Sequence, residues 1–265
     1  MKVVVIIPAA GLGTRMAPVP SAPIPGAQIP GSQIQSSQIP GSKDAPLKKT
    51  LPSKQFSELA GTPILIHTLR KFAAVESVSE IWIALRENEI EGFREKLAKD
   101  AEGVLKKKVE LVVGGEHRQQ SVANALNAVT AAPDDIVLVH DAVRPLVTPE
   151  IIHEVIEAAR KYGAAIAGLP AVDTVKQVER TAEGAIIRGT IPRAGIVLAQ
   201  TPQGFRYSVI KKAFDEAAAD GFKGTDEASL AERSGHQVAV VMGSAKNIKI
   251  TTPADMDLAE FYLRK

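Results

Sequence analysis

Residues 3–16 read VVVIIPAAGLGTRM: an apolar, β-branched run breaks into a turn with Gly11 and Gly13, and Arg15 follows two places later. Five apolar residues without alternation, Val3–Ile7, suit a strand buried on both faces, as the central strands of a parallel sheet are. A glycine turn after such a strand lets phosphate approach backbone N–H groups at the carboxyl edge of the sheet, where open α/β sheets bind ligands. The stretch is not a dinucleotide fingerprint. The third glycine of G-x-G-x-x-G would fall at Met16, and no acid stands at the expected distance of about 20 residues onward. The GxxxxGK[ST] phosphate loop is absent as well.

The same strand signal recurs along the chain. Apolar runs lie at Ile81–Leu85, Val109–Val113, Ile136–Val139, Ala164–Leu169 and Val238–Met242. Between them, Ile64–Phe72, Ile90–Ala98, Ser121–Val129, Ile151–Tyr162 and Val209–Ala219 carry apolar residues at three- and four-residue steps, the helical period. Thr148-Pro149 offers an N-cap and an N1 proline, and Thr252-Pro253-Ala254-Asp255 adds an acid at N3. Gly163 and Gly235 stand where helices should stop. Strands alternating with helices predict parallel pairing in a three-layer α/β fold. One segment breaks the rhythm. Asp173–Glu179 and Ala185–Ile191 flank a glycine-containing turn and read as a hairpin arm, at about 171–192, projecting from the main sheet.

A second break follows the glycine turn. Residues 24–43 read IPGAQIPGSQIQSSQIPGSK, four pentads with almost no charge. Proline recurs where a ladder N–H would be needed, and a five-residue period is too short for a solenoid unit. The stretch from about 17 to 50 is therefore expected to be an extended loop inserted into one domain spanning 1–265. A chain of 265 residues with 45% hydrophobic and 23% charged residues can build one large core. A net charge of +2 argues against a nucleic-acid partner. No run approaches the 18 or so apolar residues of a membrane span, and the opening segment is too short for a signal peptide. Without cysteine there is neither a disulfide framework nor a thiolate metal site. A cytoplasmic protein is expected.

Taken in order, PAAGLGTRM (8–16), PSKQF (52–56), GGEHRQQSV (114–122), HDAVRP (140–145), DTVK (173–176), TPQGF (201–205), TDEAS (225–229) and NIKIT (247–251) resemble the 2-C-methyl-D-erythritol 4-phosphate cytidylyltransferase family. The resemblance covers the chain outside the insert. It implies a Rossmann-like nucleotidyltransferase fold, a mostly parallel sheet with a projecting arm, and a reaction of CTP with a small polyol phosphate that releases pyrophosphate. In such a reaction the attacking phosphate is already an anion, so no general base is required. The task is to bring anions together and stabilise the leaving group. Mg²⁺, held by one or two carboxylates and by phosphate oxygens, suits that task.

Residue by residue, the resemblance makes Arg15 and Lys54 the catalytic cations on the triphosphate. Ser53 separates Pro52 from Lys54, where the family usually has proline directly before the lysine, so Lys49 stands as the alternative. Ala9, Ala10, Gly11, Leu12, Gly13, Ala142 and the segment Gly114, Gly115, Glu116 and Ser121 are implied to hold the nucleotide. Asp141 is implied to bind Mg²⁺ at the end of the Ile136–Val139 strand. Asp141, Arg144, Thr174, Arg193, Thr201 and Lys249 are implied to contact the polyol phosphate, Arg193 and Lys249 also serving catalysis. Thr174, Arg193 and Thr201 are expected to reach the site of a second subunit through the arm of a homodimer. Lys249 is read on a strand. Arg118 reads equally as a ligand contact or as a solvated first-turn residue. The five histidines show no metal-ligand spacing.

Three rival readings compete, one of them in the same superfamily. A cytidylyltransferase for ribitol 5-phosphate would differ only in its second-substrate contacts. A dinucleotide oxidoreductase is disfavoured by the broken fingerprint. A binding module recruiting partners through the pentads would not turn over CTP. The chain stops soon after its last helix, at Lys265, which leads us to expect a monofunctional enzyme.

Overall fold

The structure, a computed structural model, describes residues 1–11, 53–100, 107–181 and 184–264. Leu12, Gly13, Arg15, Lys49 and the pentads lie outside them.

Strand β1 (Val3–Pro8) lies inside a seven-stranded sheet, between β6 and β4. Parallel to it run β4 (Glu80–Leu85) and β6 (Ile136–Val139), and β5 (Lys108–Val113) lies outside β4. On the other side stand β10 (Val197–Arg206), β7 (Ala164–Pro170) and β11 (Ala239–Met242), giving the order β11-β7-β10-β6-β1-β4-β5. Two residues each form β2 (Glu58–Leu59) and β3 (Thr62–Pro63), a small antiparallel pair.

Every side chain of Val3–Ile7 is completely buried, as the unbroken apolar run requires. Val3, Val5 and Ile7 pack on one face with α1 (Ile64–Ala73) and α4 (Pro149–Tyr162). Val4 and Ile6 pack on the other with α3 (Arg118–Ala128), α5 (Tyr207–Ala219) and α6 (Glu227–Arg233). At roughly 1.5–3 kcal/mol per buried aliphatic side chain, this one strand anchors both layers. Helix α2 (Glu87–Asp100) follows β4, and α7 (Pro253–Leu263) closes the described chain. Thr148 and Thr252 cap their helices as expected, the latter in a capping box with Asp255. Gly163 and Gly235 have φ of 89° and 84°, which only glycine adopts without strain.

Parallel pairing fails at one strand. β10 is antiparallel to both β6 and β7. No crossover helix precedes it: the chain leaves β7, runs through the hairpin β8 (Val175–Thr181) and β9 (Gly184–Ile191), and re-enters at the end where β7 left, Val197 pairing with Pro170. The hairpin forms its own two-stranded sheet, the expected arm. The β10 register shifts between Ala199 and Gln203, around Pro202, a residue that cannot donate to a ladder. NIKIT, read as strand-like, is irregular. The Ile250 N–H donates to the Val143 carbonyl at 2.9 Å, and Ile250 packs with Leu59, Ile64, Val143 and Ala259, fixing Lys249 beside β6.

Candidate active site

Two strands deliver the site. Where β1 and β6 end, a cavity of about 260 Å³ opens, lined by Ala9, Ala10, Gly11, Lys54, Ser121, Asp141, Ala142 and Lys249 among others. A second cavity of about 230 Å³ adjoins it, lined by Arg144, Gln200, Thr201, Gln203 and Asp226. Arg118, Asp141 and Lys249 line both. A third, more open hollow lies over Gly114, Gly115 and Glu116, reaching Ala10 and Arg86.

Asp141 is the shared wall, and three cations converge on it. Arg118 Nε stands 3.3 Å from Oδ1, while Arg144 Nε and Lys249 Nζ stand 3.1 and 2.9 Å from Oδ2. Burial alone would raise the carboxyl pKa. Arg118, Lys249 and Arg144 outweigh it and hold the group far below the usual carboxylate range, so Asp141 is ionised. Arg118 Nη1 also donates to both carboxylate oxygens of Glu227, at 2.6 and 2.7 Å. Glu227 is fully enclosed; burial raises its pKa and Arg118 opposes the rise. For Arg118, burial acts to lower the pKa, but Glu227 and then Asp141 hold it above its ordinary value.

Behind this cluster His140 is wholly buried, its ring edge-on to Phe72 at 4.8 Å. Burial lowers its pKa to about 4, leaving the imidazole neutral near neutral pH. Nε2 lies 3.1 Å from the Arg144 carbonyl, which can only accept, so Nε2 carries the proton. Nδ1 then accepts from the Thr201 hydroxyl, and that hydroxyl accepts from the Asp141 N–H, both at 3.1 Å. The network fixes the backbone on which Asp141 and Arg144 stand.

A family model described as 2-C-methyl-D-erythritol 4-phosphate cytidylyltransferase matches residues 47–265. The chain belongs to this family. A relative of the same name from Acidobacterium capsulatum is 55% identical over all of this chain and 98% of its own length. Another, from Solibacter usitatus, is 47% identical over the whole chain and 97% of its own length. Among solved structures, the 2-C-methyl-D-erythritol 4-phosphate cytidylyltransferase of Thermus thermophilus superposes with a TM-score of 0.70 at 30% identity, over the full length of both chains.

In this cytidylyltransferase, most of the residues implied by the motifs converge. Ala9, Ala10, Gly11, Lys54, Ser121, Asp141, Ala142 and Lys249 share one cavity; Arg144 and Thr201 line the next. Gly115 and Glu116 line the open hollow, and the Gly115 N–H donates to Ser121 Oγ at 3.1 Å. Gly114 has a steric reason to be glycine: a Cβ there would lie 2.4 Å from the Ala10 Cβ. Thr174 and Arg193 line neither cavity, being exposed on the arm, and Arg193 donates to the Val172 carbonyl.

Thr201 corrects an expectation. Expected at a neighbouring subunit's site, it is instead buried in its own chain, bonded to Asp141 and His140. A hydroxyl so engaged cannot extend into a second molecule. Arg118 is likewise no solvated first-turn residue, since it bridges Asp141 and Glu227. Sequence reasoning passes over Glu227, Gln55 and Asn247. Gln55 donates to the Ala9 carbonyl. The Asn247 side-chain amide donates to the Thr201 carbonyl at 2.9 Å, while its backbone carbonyl accepts from Arg144 at 2.7 Å. TDEAS contains Glu227, but nothing local announces that it meets an arginine 109 residues earlier.

Proposed function

We propose that the two cavities joined at Asp141 are where this cytidylyltransferase performs its reaction. The cytidylyl group of CTP passes to 2-C-methyl-D-erythritol 4-phosphate, giving 4-diphosphocytidyl-2-C-methyl-D-erythritol and pyrophosphate in isoprenoid precursor synthesis. A phosphate oxygen of the polyol attacks the α-phosphorus in line. The bond from that phosphorus to the oxygen bridging toward the β-phosphate breaks, and pyrophosphate leaves with the electron pair. In this reading, the triphosphate lies against Ala9–Gly11 and Lys54, and the motif that Arg15 shares with the family assigns it to the same phosphates. The cytosine occupies the hollow over Gly114 and Gly115, where backbone groups can meet the edge of a pyrimidine. Arg144 and Lys249 receive the polyol phosphate in the second cavity, where Thr201 braces Asp141 from behind. The observation that carries the reading is Asp141 at the junction, ionised and ringed by three cations.

The donor set suits Mg²⁺ carried in on phosphate. Among the described residues no three His, Asp or Glu side chains gather to cage a metal, and Asp141 is the one carboxylate lining both cavities within reach of the phosphates' expected path. Asp141 would hold the ion, which when bound neutralises charge on the triphosphate. CTP is a polyanion that does not cross bilayers, which assigns the reaction to the cytoplasm. Among the described residues no helix is long and apolar enough to cross a membrane.

Pyrophosphate release measured with four nucleoside triphosphates, against methylerythritol phosphate and ribitol 5-phosphate, tests the reading. CTP with methylerythritol phosphate should exceed every other pair. Equal or faster turnover of ribitol 5-phosphate would overturn the substrate.

The arm supports a homodimer. Val172, Val178, Ile186 and Ile187 are each about half or more exposed on or beside a two-stranded ribbon, a surface that a second copy would cover. Two-fold pairing would lend Thr174 and Arg193 reciprocally to the partner's polyol site. Complementation checks it. Lys54→Ala and Arg193→Ala homodimers should each be nearly inactive. Co-refolding equal amounts should restore roughly a quarter of wild-type activity, since about half the dimers are mixed and half their sites intact. Failure to restore activity, with exchange confirmed by mass, would place Arg193 in its own chain's site.

A further inference from the structure

Lys54 begins a turn of three residues, Lys54–Phe56, too short to hold its own shape. Its direction depends on what grips the turn. Phe56 packs on Phe93, ring centroids 5.7 Å apart, and Gln55 donates to the Ala9 carbonyl. A further grip is Ser53, the residue that interrupts the proline–lysine pairing.

Ser53 is 7% exposed, and its hydroxyl donates to the carboxylate of Glu89, in the first turn of α2. Glu89 stands 3.8 Å from the guanidinium of Arg86, whose Nε donates to the Ala10 carbonyl at 3.0 Å. Ser53, Glu89 and Arg86 thus form a side-chain relay from the Lys54 turn to the backbone of the first cavity, parallel to the Gln55–Ala9 bond. The relay is a poor stabilising device. One oxygen of Glu89 and one terminal nitrogen of Arg86 are buried without a hydrogen-bond partner, and well-packed apolar groups of the same size would be at least as stable. It does fix geometry. The Lys54 turn cannot shift without disturbing the Ser53–Glu89 bond, and Glu89 is the counter-ion of the arginine that holds the Ala10 carbonyl, against which the triphosphate is placed.

We infer that Ser53 and Glu89 are positioning residues for Lys54, and that this chain uses the serine hydroxyl to set the lysine ammonium against the nucleotide loop. The inference rests on the catalytic role proposed for Lys54. Misplacement by about 1 Å typically costs on the order of 10² in rate. Ser53→Ala should therefore lower kcat by roughly 10- to 100-fold, with KM for methylerythritol phosphate nearly unchanged and the thermal midpoint lowered by only a few degrees as Glu89 loses a donor. Glu89→Met, which keeps the bulk but has no acceptor oxygen, should match it, and the double variant should be no worse than either, because both cut one relay. Ser53→Thr, which keeps the hydroxyl, should recover most of the rate.

The deciding measurement is a double-mutant cycle. In a Lys54→Ala background, Ser53→Ala should cost nothing more. An equal further loss there, no rescue by threonine, or wild-type kcat in Ser53→Ala while Lys54→Ala is inactive, would overturn the relay alone. Wild-type kcat in Lys54→Ala would overturn the role of the lysine and the relay together.

Discussion

Lys54→Ala is expected to lower kcat by roughly 10²–10⁴, the scale of losing a preorganised charge partner of the transition state. The reasoning starts from what the chemistry lacks. The nucleophile needs no deprotonation, so the barrier lies in bringing a phosphate monoester to a triphosphate and in the charge that builds on departing pyrophosphate. Lys54 lines the cavity that ends β1, beside Ala9, Ala10 and Gly11, where that leaving group would lie. An ammonium fixed there interacts more strongly with the developing charge than with the ground-state triphosphate, so kcat and kcat/KM should fall together. Arg15→Ala should behave alike; its place comes from the motif it shares with the family. Lys54→Arg should recover only part of the loss, because a planar fork cannot stand in for a compact ammonium in a fixed position. Single-turnover pyrophosphate release separates the chemical step from product release. Near-wild-type turnover in Lys54→Ala would remove this lysine from the mechanism and pass the role to Lys49.

The features legible in the sequence are those encoded locally. Val3–Ile7 announces a doubly buried strand because all five side chains must be apolar, and each of the six apolar runs forms a sheet strand. Caps at Thr148 and Thr252 are readable because a cap lies within four residues. β10 is not, since it carries Gln200, Thr201, Pro202 and Gln203 where a buried strand should be apolar. Those polar residues are there for the site: Thr201 serves Asp141, and the Gln203 amide donates to Asp226 at 2.7 Å. Helix α6 has only seven residues, too few to show a period. The same division runs through the site. Asp141 and Arg144 are readable as a motif closing a strand, but the Arg118–Glu227 pair exists only once α3 and α6 pack on the same face of the sheet. Lys249 reaches Asp141 although its strand does not form, because the Val143–Ile250 bond, rather than a ladder, holds the segment in place.

Asp141→Asn should also cost kcat roughly 10²–10⁴, and it separates two roles that one carboxylate could have. As a structural counter-ion, Asp141 would merely keep Arg118, Arg144 and Lys249 from repelling one another at 2.9–3.3 Å from its oxygens. As a metal ligand, it would give up part of that cationic shell when a phosphate-borne ion arrives. Lys249 is the partner best able to leave, with 37% of its side chain exposed against 12% for Arg144. Asparagine keeps the shape and an acceptor oxygen but removes the charge. The three cations would then be freer to hold phosphates, so KM for CTP and for methylerythritol phosphate should not rise. The half-saturating Mg²⁺ concentration should rise by roughly 10- to 100-fold, as when a metal's coordination is weakened. The thermal midpoint should fall, because the cations would face one another without their anion. Titrating Mg²⁺ against initial rate, and binding of Mn²⁺ to the CTP complex by electron paramagnetic resonance, gives the decision. An unchanged metal dependence, with only the midpoint lowered, would leave Asp141 as a counter-ion and require the metal to be held by phosphate oxygens without it.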